Sequence, residues 1–504
     1  MTGSGVANNR VEGNFIGLNA GGTGAIANTF AGVYVLNGAS NNSIVANVIS
    51  GNVGEGLRLA GTGTSGNNLF GNRIGTIPDG NSALGNGFAG VTLFGGTTSN
   101  QVGGVLPEQR NILSGNGTVG LVFGDAGTSN NLAYGNYIGT NPAGTGAVPN
   151  GFAGVYMTGG SSANHLGDGP GTGNLISANN SVGVFVADAA TAGNFIRNNT
   201  IGLSATGVAP FSNQFDGISI SAGAQTTFIG GTAFGAANTI SGNAGRGIAV
   251  FDAATSMHTF QRNSIDGNGQ EGIGIYNGSN HSQAAPVLTV ASLTTSTNLS
   301  GTLVGTANTS FTVEFFSSLS ANPAGGRTYL GQLIVTTNGS GNATISANLP
   351  VIVAAGRQIS ATATSQATGD TSGFSNRIAV TSTDGDNDGL PNAYENATPG
   401  LNAANPADAN LDNDGDGFTN LQEFIAGTNP NDATSRLITT GVVAGTDFQI
   451  SFGTVLGKIY RVERSETLTS WSPVAIHVSG TGANVQMAFP ISGQHQFFRV
   501  TAGE

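Results

Sequence analysis

The sequence predicts an all-β chain: a parallel β-helix of about nine coils, then a β-sandwich, a short segment of metal-binding loops and a smaller C-terminal β-sandwich. Three observations predict it. A Gly-apolar-x-apolar tetrad recurs through the first half of the 504 residues, and asparagines recur in step with it. After Pro286 both patterns give way to alternating strand-like runs, interrupted by one strongly acidic stretch.

The tetrad reads "GVYV" at Gly32, "GLRL" at Gly56, "GVTL" at Gly90, "GLVF" at Gly120, "GVYM" at Gly154, "GVFV" at Gly183, "GISI" at Gly217, "GIAV" at Gly247 and "GIGI" at Gly272. These nine copies span 240 residues, a mean interval of 30. The hexamer "NGFAGV" recurs at Asn86 and Asn150, an offset of 64. The same offset relates Asn47 to Asn111 and, within one residue, Asn174 and Asn238. A second asparagine column, Asn72, Asn136, Asn199 and Asn263, follows the first by 25 residues.

Each unit therefore holds about three short strands separated by Gly, Asn and Ser turns. With 83 glycines and few helix formers, a helical solenoid is excluded. A unit of three short strands cannot bury its own apolar face, so it must stack on its copies, with branched residues inside and turn asparagines in amide ladders. At ~4.8 Å per coil the stack is a rod of roughly 40 Å. A β-propeller needs antiparallel blades of ~40–50 residues and fits this period poorly.

The cadence "NxIG…G(V/I)…NxISGN" over residues 14 to about 280 resembles the bacterial right-handed parallel β-helix repeats of the pectate-lyase-like superfamily. That resemblance implies a right-handed helix over 1–282. It implies no particular activity, because the superfamily holds lyases, hydrolases, tailspike-type binders and adhesins. The glycine-rich calcium nonapeptide of toxin-type β-rolls does not occur.

Enzymes of such folds need clustered acids, or a carboxylate-bound calcium with an arginine base, on one outer face. Two charged columns qualify for inspection. Asp125, Asp188 and Asp252 lie five residues after their tetrad glycines, in alternate coils about 10 Å apart. That is slightly beyond the ~6.5–9.5 Å of an inverting pair. The simpler reading is that each caps its turn through its own backbone. Asp216, Arg246 and Glu271 lie one residue before the glycine in successive coils and read as a self-neutralising ladder. His165, His258 and His281 form no coherent set. Phe30, Phe88, Phe152 and Phe215, each two residues before a tetrad glycine, read as core filler in preference to a sugar-stacking stripe.

Residues 286–381 carry alternating strands at about ten-residue spacing, the signature of a sandwich. Through "SGTLVGTANTSFTVEFFSS" and "YLGQLIVTTNGSGNATISANLP" they resemble the immunoglobulin-like module that follows β-helix repeats in large bacterial exported proteins. Residues 437–504, with "DFQISF", "KIYRVERS" and "QFFRVT" as strands, resemble a small C-terminal β domain of such proteins.

Between them, residues 384–432 hold ten acids and no base, so they carry −10 of the net charge of −12. "DGDNDGLPNAYE" and "DNDGDGFTNLQE" both match D-x-[DN]-x-[DN]-G-x5-E. Calcium takes six to eight oxygens, which such a loop supplies from positions 1, 3, 5, 7, 9 and 12, with glycine at 6 for the turn. The first set is Asp384, Asp386, Asp388, the Leu390 carbonyl, Asn392 and Glu395, with Gly389 at the turn. The second is Asp412, Asp414, Asp416, the Phe418 carbonyl, Asn420 and Glu423, with Gly417. Each loop runs into a short helix with none before it, a pattern that resembles thrombospondin type 3 and dockerin-type repeats. Asp408 and Asn410 continue the spacing into the second loop and read as extending its ligand set. A flexible acidic linker is the competing reading.

Calcium is thus the expected cofactor, and a polysaccharide or cell-surface glycan the expected class of partner. Seven arginines and no lysine before residue 283 suit a neutral glycan better than an acidic one. The absence of a basic stripe argues against nucleic acid, and no run of some 18 apolar residues spans a membrane. The N-terminus lacks a signal peptide and enters repeat sequence at once, so the expectation is a piece of a longer secreted or surface-displayed chain. Its expected function is a calcium-binding rigid scaffold, stalk or adhesin rather than an enzyme. The alternative is a polysaccharide lyase, glycoside hydrolase or glycan-binding rod using the outer face around Asp188, Arg246 and Asp252.

Overall fold

In the computed structural model, nine coils each give one strand to each of three parallel nine-stranded sheets. The structure describes residues 1–503 apart from 208, 295, 320–324, 446, 456–457, 481 and 492–494. The first sheet runs from Arg10–Glu12 to Thr259–Gln261, the second from Phe15–Ile16 to Ser264–Ile265, and the third from Val33–Leu36 to Ile273–Ile275. The tetrads are the nine strands of the third sheet. Their alternate residues point inward and join Ile44, Leu69, Ile49 and Ile74 in one core that runs along the rod.

An asparagine ladder closes each of the three corners. The two columns visible in the sequence are alternate rungs of a single ladder, Asn14, Asn47, Asn72, Asn111, Asn136, Asn174, Asn199, Asn238 and Asn263. A second runs Asn28, Asn52, Asn86, Asn116, Asn150, Asn179, Asn213, Asn243 and Asn268. The third starts Asn9, Asn42, Asn67, Asn100, Asn131, Asn164 and Asn194, and Thr227, His258 and Asn280 continue it.

The chemistry of one rung explains the residue choice. Asn116 Nδ2 donates to Asn150 Oδ1 in the next coil at 3.1 Å and to the Ile74 carbonyl in the previous coil, while its Oδ1 accepts Asn86 Nδ2 at 3.0 Å. The amide thus satisfies corner backbone that no sheet reaches. The same ladder dictates the tetrad glycine: a Cβ on Gly56 would lie 2.5 Å from Ile74 Cγ2 and 2.7 Å from Asn86 Nδ2.

Position five of the tetrad turn has positive φ in coil after coil: Asp125 at 69°, Asp188 at 77°, Ala222 at 57° and Asp252 at 73°. Glycine, asparagine and aspartate tolerate that conformation, which accounts for the aspartate column. The backbone carbonyls of Asp125, Asp188 and Asp252 close their own turns by accepting Thr128, Thr191 and Thr255 N–H, and the side chains of Asp188 and Asp252 reach back one coil. Asp188 accepts from the Thr158 hydroxyl and Gly159 N–H, and Asp252 from Ala222 N–H.

The C-terminal end of the rod is covered by a sandwich of two four-stranded sheets. One holds Val287–Leu293, Thr297–Val304, Asn342–Leu349 and Thr381–Ser382. The other holds Ser310–Ser318, Thr328–Thr336, Gln358–Ser365 and Ile378–Ala379. The sandwich occupies places that a tenth coil would fill. Ile265 and Gly326 exchange backbone hydrogen bonds, Thr371 N–H donates to the His258 carbonyl, and Asp370 Oδ1 accepts Met257 N–H at 2.7 Å. Farther on, two three-stranded sheets, from Thr439–Ala444 to Phe497–Ala502, pack around Ile450, Phe452, Tyr460 and Val462.

Two outcomes are expected on unfolding. Asn116→Ala should cost about 3 kcal/mol, since buried partners in two coils lose their bonds, whereas Ala222→Gly should gain about 1 kcal/mol by relieving a left-handed alanine; denaturant titration measures both. At the cap, buried Glu314 accepts Arg262 N–H at 3.1 Å, and burial pushes its carboxyl up to about 7. The charged form is the less stable one in the fold, so this contribution is full below the ordinary carboxylate range and is lost as pH rises through about 7. Glu314→Gln should flatten the change in melting temperature between about pH 5 and pH 8.

Candidate metal centre and the outer face of the rod

The two acidic loops fold alike because position 1 does the same work in each. Asp384 accepts Asn387 N–H and Gly389 N–H through its two oxygens, and Asp412 accepts Gly415 N–H and Gly417 N–H. Position 5 then caps position 7: Asp388 accepts Leu390 N–H and Asp416 accepts Phe418 N–H. Gly389 and Gly417 have φ of 95° and 96°, a conformation that favours glycine. Each loop delivers its terminal glutamate on a short helix, α1 (Asn392–Ala397) or α2 (Asn420–Ala426). α2 opens on a capping box between Thr419 and Gln422 and closes on left-handed Gly427.

What these turns leave over is a set of carboxylate oxygens with no protein partner. They are both oxygens of Asp386 and Glu395, and one each of Asp388, Asp408, Asp414, Asp416 and Glu423. Glu395, Asp408 and Glu423 are buried. Oxygens of Asp384, Asp386 and Asp388 lie within 4.8 Å of one another, as do those of Asp388, Glu395 and Asp408, and those of Asp412, Asp414 and Asp416. Burial, and then the neighbouring acids, push Glu395 and Glu423 up to about 7. Buried anions without donors cost free energy unless a cation joins them, and an all-oxygen set of this kind suits calcium.

The structure regroups Asp408 and gives both position-9 asparagines hydrogen-bond partners in the protein. Asp408 lies with the first loop, against Asp388 and Glu395, because the 3-10 turn Asp408–Asn410 folds back onto it. Asn392 Oδ1 accepts Gly385 N–H at 2.6 Å and so closes its own loop. Asn420 donates to the Asp408 carbonyl at 2.6 Å, which leaves its buried Oδ1 without a partner. Leu390, Ala409 and Phe424 form a small core beneath both loops, and the Tyr394 and Phe424 rings sit 4.4 Å apart. From the C-terminal sandwich, Lys458 Nζ donates to the Phe424 carbonyl at 2.7 Å.

On the rod, of the face around Asp188, Arg246 and Asp252, Arg246 is ion-paired and the two aspartates accept hydrogen bonds from the previous coil. Arg246 meets buried Asp216 at 3.7 Å and Glu271 at 3.2 Å, and donates to the Tyr276 hydroxyl. Among the described residues, no acid or histidine group able to hold a metal lies on the coils. His258 is a buried ladder rung whose imidazole burial holds down at about 4.

The phenylalanine column is not core filler. Phe30, Phe88, Phe152 and Phe215 are 69%, 59%, 38% and 49% exposed, because tetrad residues and the ladder already fill the interior beside them. Phe152 rests edge-on against Phe185, whose ring stacks 5.1 Å from Tyr156.

Removing one uncompensated anion should have opposite effects with and without metal. Glu395→Gln is expected to raise the melting temperature of the chelated chain and to weaken calcium binding about tenfold or more; calorimetry in chelator and in calcium measures both.

Residues 109–286 match the family model described as the right handed beta helix region, and residues 412–433 match the bacterial TSP3 repeat. No curated protein matches the chain. Among solved structures, the chain is similar to full-length tailspike protein 2 (TSP2, ORF211) from Escherichia coli O157:H7 bacteriophage CAB120, at 11% identity and a TM-score of 0.27. The similarity covers 75% of this chain and 61% of the tailspike. The chain thus carries a right-handed parallel β-helix and, in its second acidic loop, a bacterial TSP3 repeat.

Proposed function

We propose that the chain is a rigid rod from a secreted or surface-displayed protein, stiffened at its C-terminal joint by two calcium ions. The observation that carries this reading is the set of unpartnered carboxylate oxygens in two loops of matching geometry. The first ion would be held from residues 384–395 and the second from residues 412–423, dividing the chain into a β-helix over 1–282, sandwiches over 286–381 and 437–504, and the ion-bearing connector between them. Calcium would supply only charge and coordination there.

The connector needs such help. A cavity of about 600 Å³ lies between the first sandwich, the first loop and the C-terminal sandwich, lined among others by Val351, Phe424, Lys458 and Ile459. Packing alone therefore leaves the joint partly open, and repulsion among ten acids would loosen it further. Extracellular calcium modules fill at about 10⁻⁴–10⁻³ M, and ion binding then stabilises the ordered form by mass action.

The exposed phenylalanines support a second reading, a glycan-binding rod. Ring faces two coils apart, about 10 Å, on a surface with few charges suit a neutral polysaccharide.

X-ray scattering in millimolar calcium and in chelator tests the first reading: a longer, stiffer particle with calcium is expected, and superimposable profiles would refute it. Retention of neutral polysaccharides that is lost in a Phe88→Ala, Phe152→Ala variant would establish the second.

A further inference from the structure

We infer that Asp408 completes the first ion's cage and that, through it, the two ions bind cooperatively. The inference rests on the calcium reading above and adds a ligand and a coupling to it.

Glu395 is buried with both oxygens unpartnered, whereas Glu423 receives a hydrogen bond from the Thr428 hydroxyl. The first loop therefore has a more demanding anion to satisfy. Asp408 brings a third carboxylate to Asp388 and Glu395, within 4.8 Å, although it lies outside the twelve-residue loop. It is buried, and one oxygen accepts Asn402 N–H at 2.7 Å while the other has no partner. A buried carboxylate oriented by one oxygen, with the second free beside two further acids, is placed as a ligand.

Asp408 is held in turn by the second loop. Asn420, at the start of α2, donates to the Asp408 carbonyl and its own N–H donates to the Leu411 carbonyl at 2.8 Å. Ala409 is packed with Phe424 of α2. Closing the second loop around its ion fixes Glu423 and hence α2, which fixes the turn that carries Asp408. The second ion thus preorganises the first site, and by linkage the first ion strengthens the second equally.

Calcium titration of the full chain by calorimetry, with bound ions counted by equilibrium dialysis, tests this. The wild-type chain should take up two ions with a Hill coefficient above one. Asp408→Asn keeps an oxygen for Asn402 and should lose the first ion at concentrations that saturate the wild type, as should Glu395→Gln. Disabling the second loop with Asp414→Asn and Glu423→Gln should weaken the first site about fivefold or more. An unchanged two-ion isotherm for Asp408→Asn, or an unaffected first site in the second-loop variant, would overturn the coupling and leave the calcium reading standing. A wild-type chain that takes up no calcium at millimolar concentrations would instead overturn the calcium reading itself.

Discussion

Buried polar groups must find partners, and that requirement organises the whole chain. A stack of short parallel strands bends three times per coil, and each bend carries peptide groups into the interior where neither sheet nor water reaches them. Asparagine answers at all three corners, because its amide donates and accepts in one plane and can repeat at the coil spacing. The glycines of the third sheet follow from making room for those amides. In the connector the loops instead gather acceptors and leave them without donors, a condition that favours protonation or a bound cation.

Much of this was legible in the letters. Nine tetrads gave the coil count because each strand of the third sheet needs its own Gly-apolar-x-apolar run. Asn47 and Asn72 were visible as separate columns since excursions in alternate coils stretch the spacing; only the fold shows them as adjacent rungs. In the ladder through Asn28 and Asn86, alternate members lie just after those excursions, so the repeated hexamer at Asn86 and Asn150 showed only every second rung. The loops were read from spacing alone, since a twelve-residue turn is a local object.

Errors came where position in space departs from position in sequence. Asp408 looked like the leading edge of the second loop, and a reversing turn gave it to the first. Phe30 and its relatives looked like core because apolar residues usually are, but a corner already filled by amides has no space for a ring. The aspartates after the tetrads occupy left-handed backbone positions, which periodicity could not supply, and the carboxylates of Asp188 and Asp252 brace the coil before.

The ladders also give the rod a chemical direction. Asparagine rungs such as Asn86 and Asn116 pass an amide donor to the following coil and accept one from the preceding coil, so the two ends of these ladders present different faces of the same amides. At the C-terminal end Glu314, Asp370 and the Thr371 carbonyl receive Arg262, Met257 and Asn280, while Thr371 and Gly326 donate their N–H groups to the His258 and Ile265 carbonyls. The capping sandwich thus answers both the corner ladders and the sheet edge, and a replacement for it would have to supply donors and acceptors in that same order.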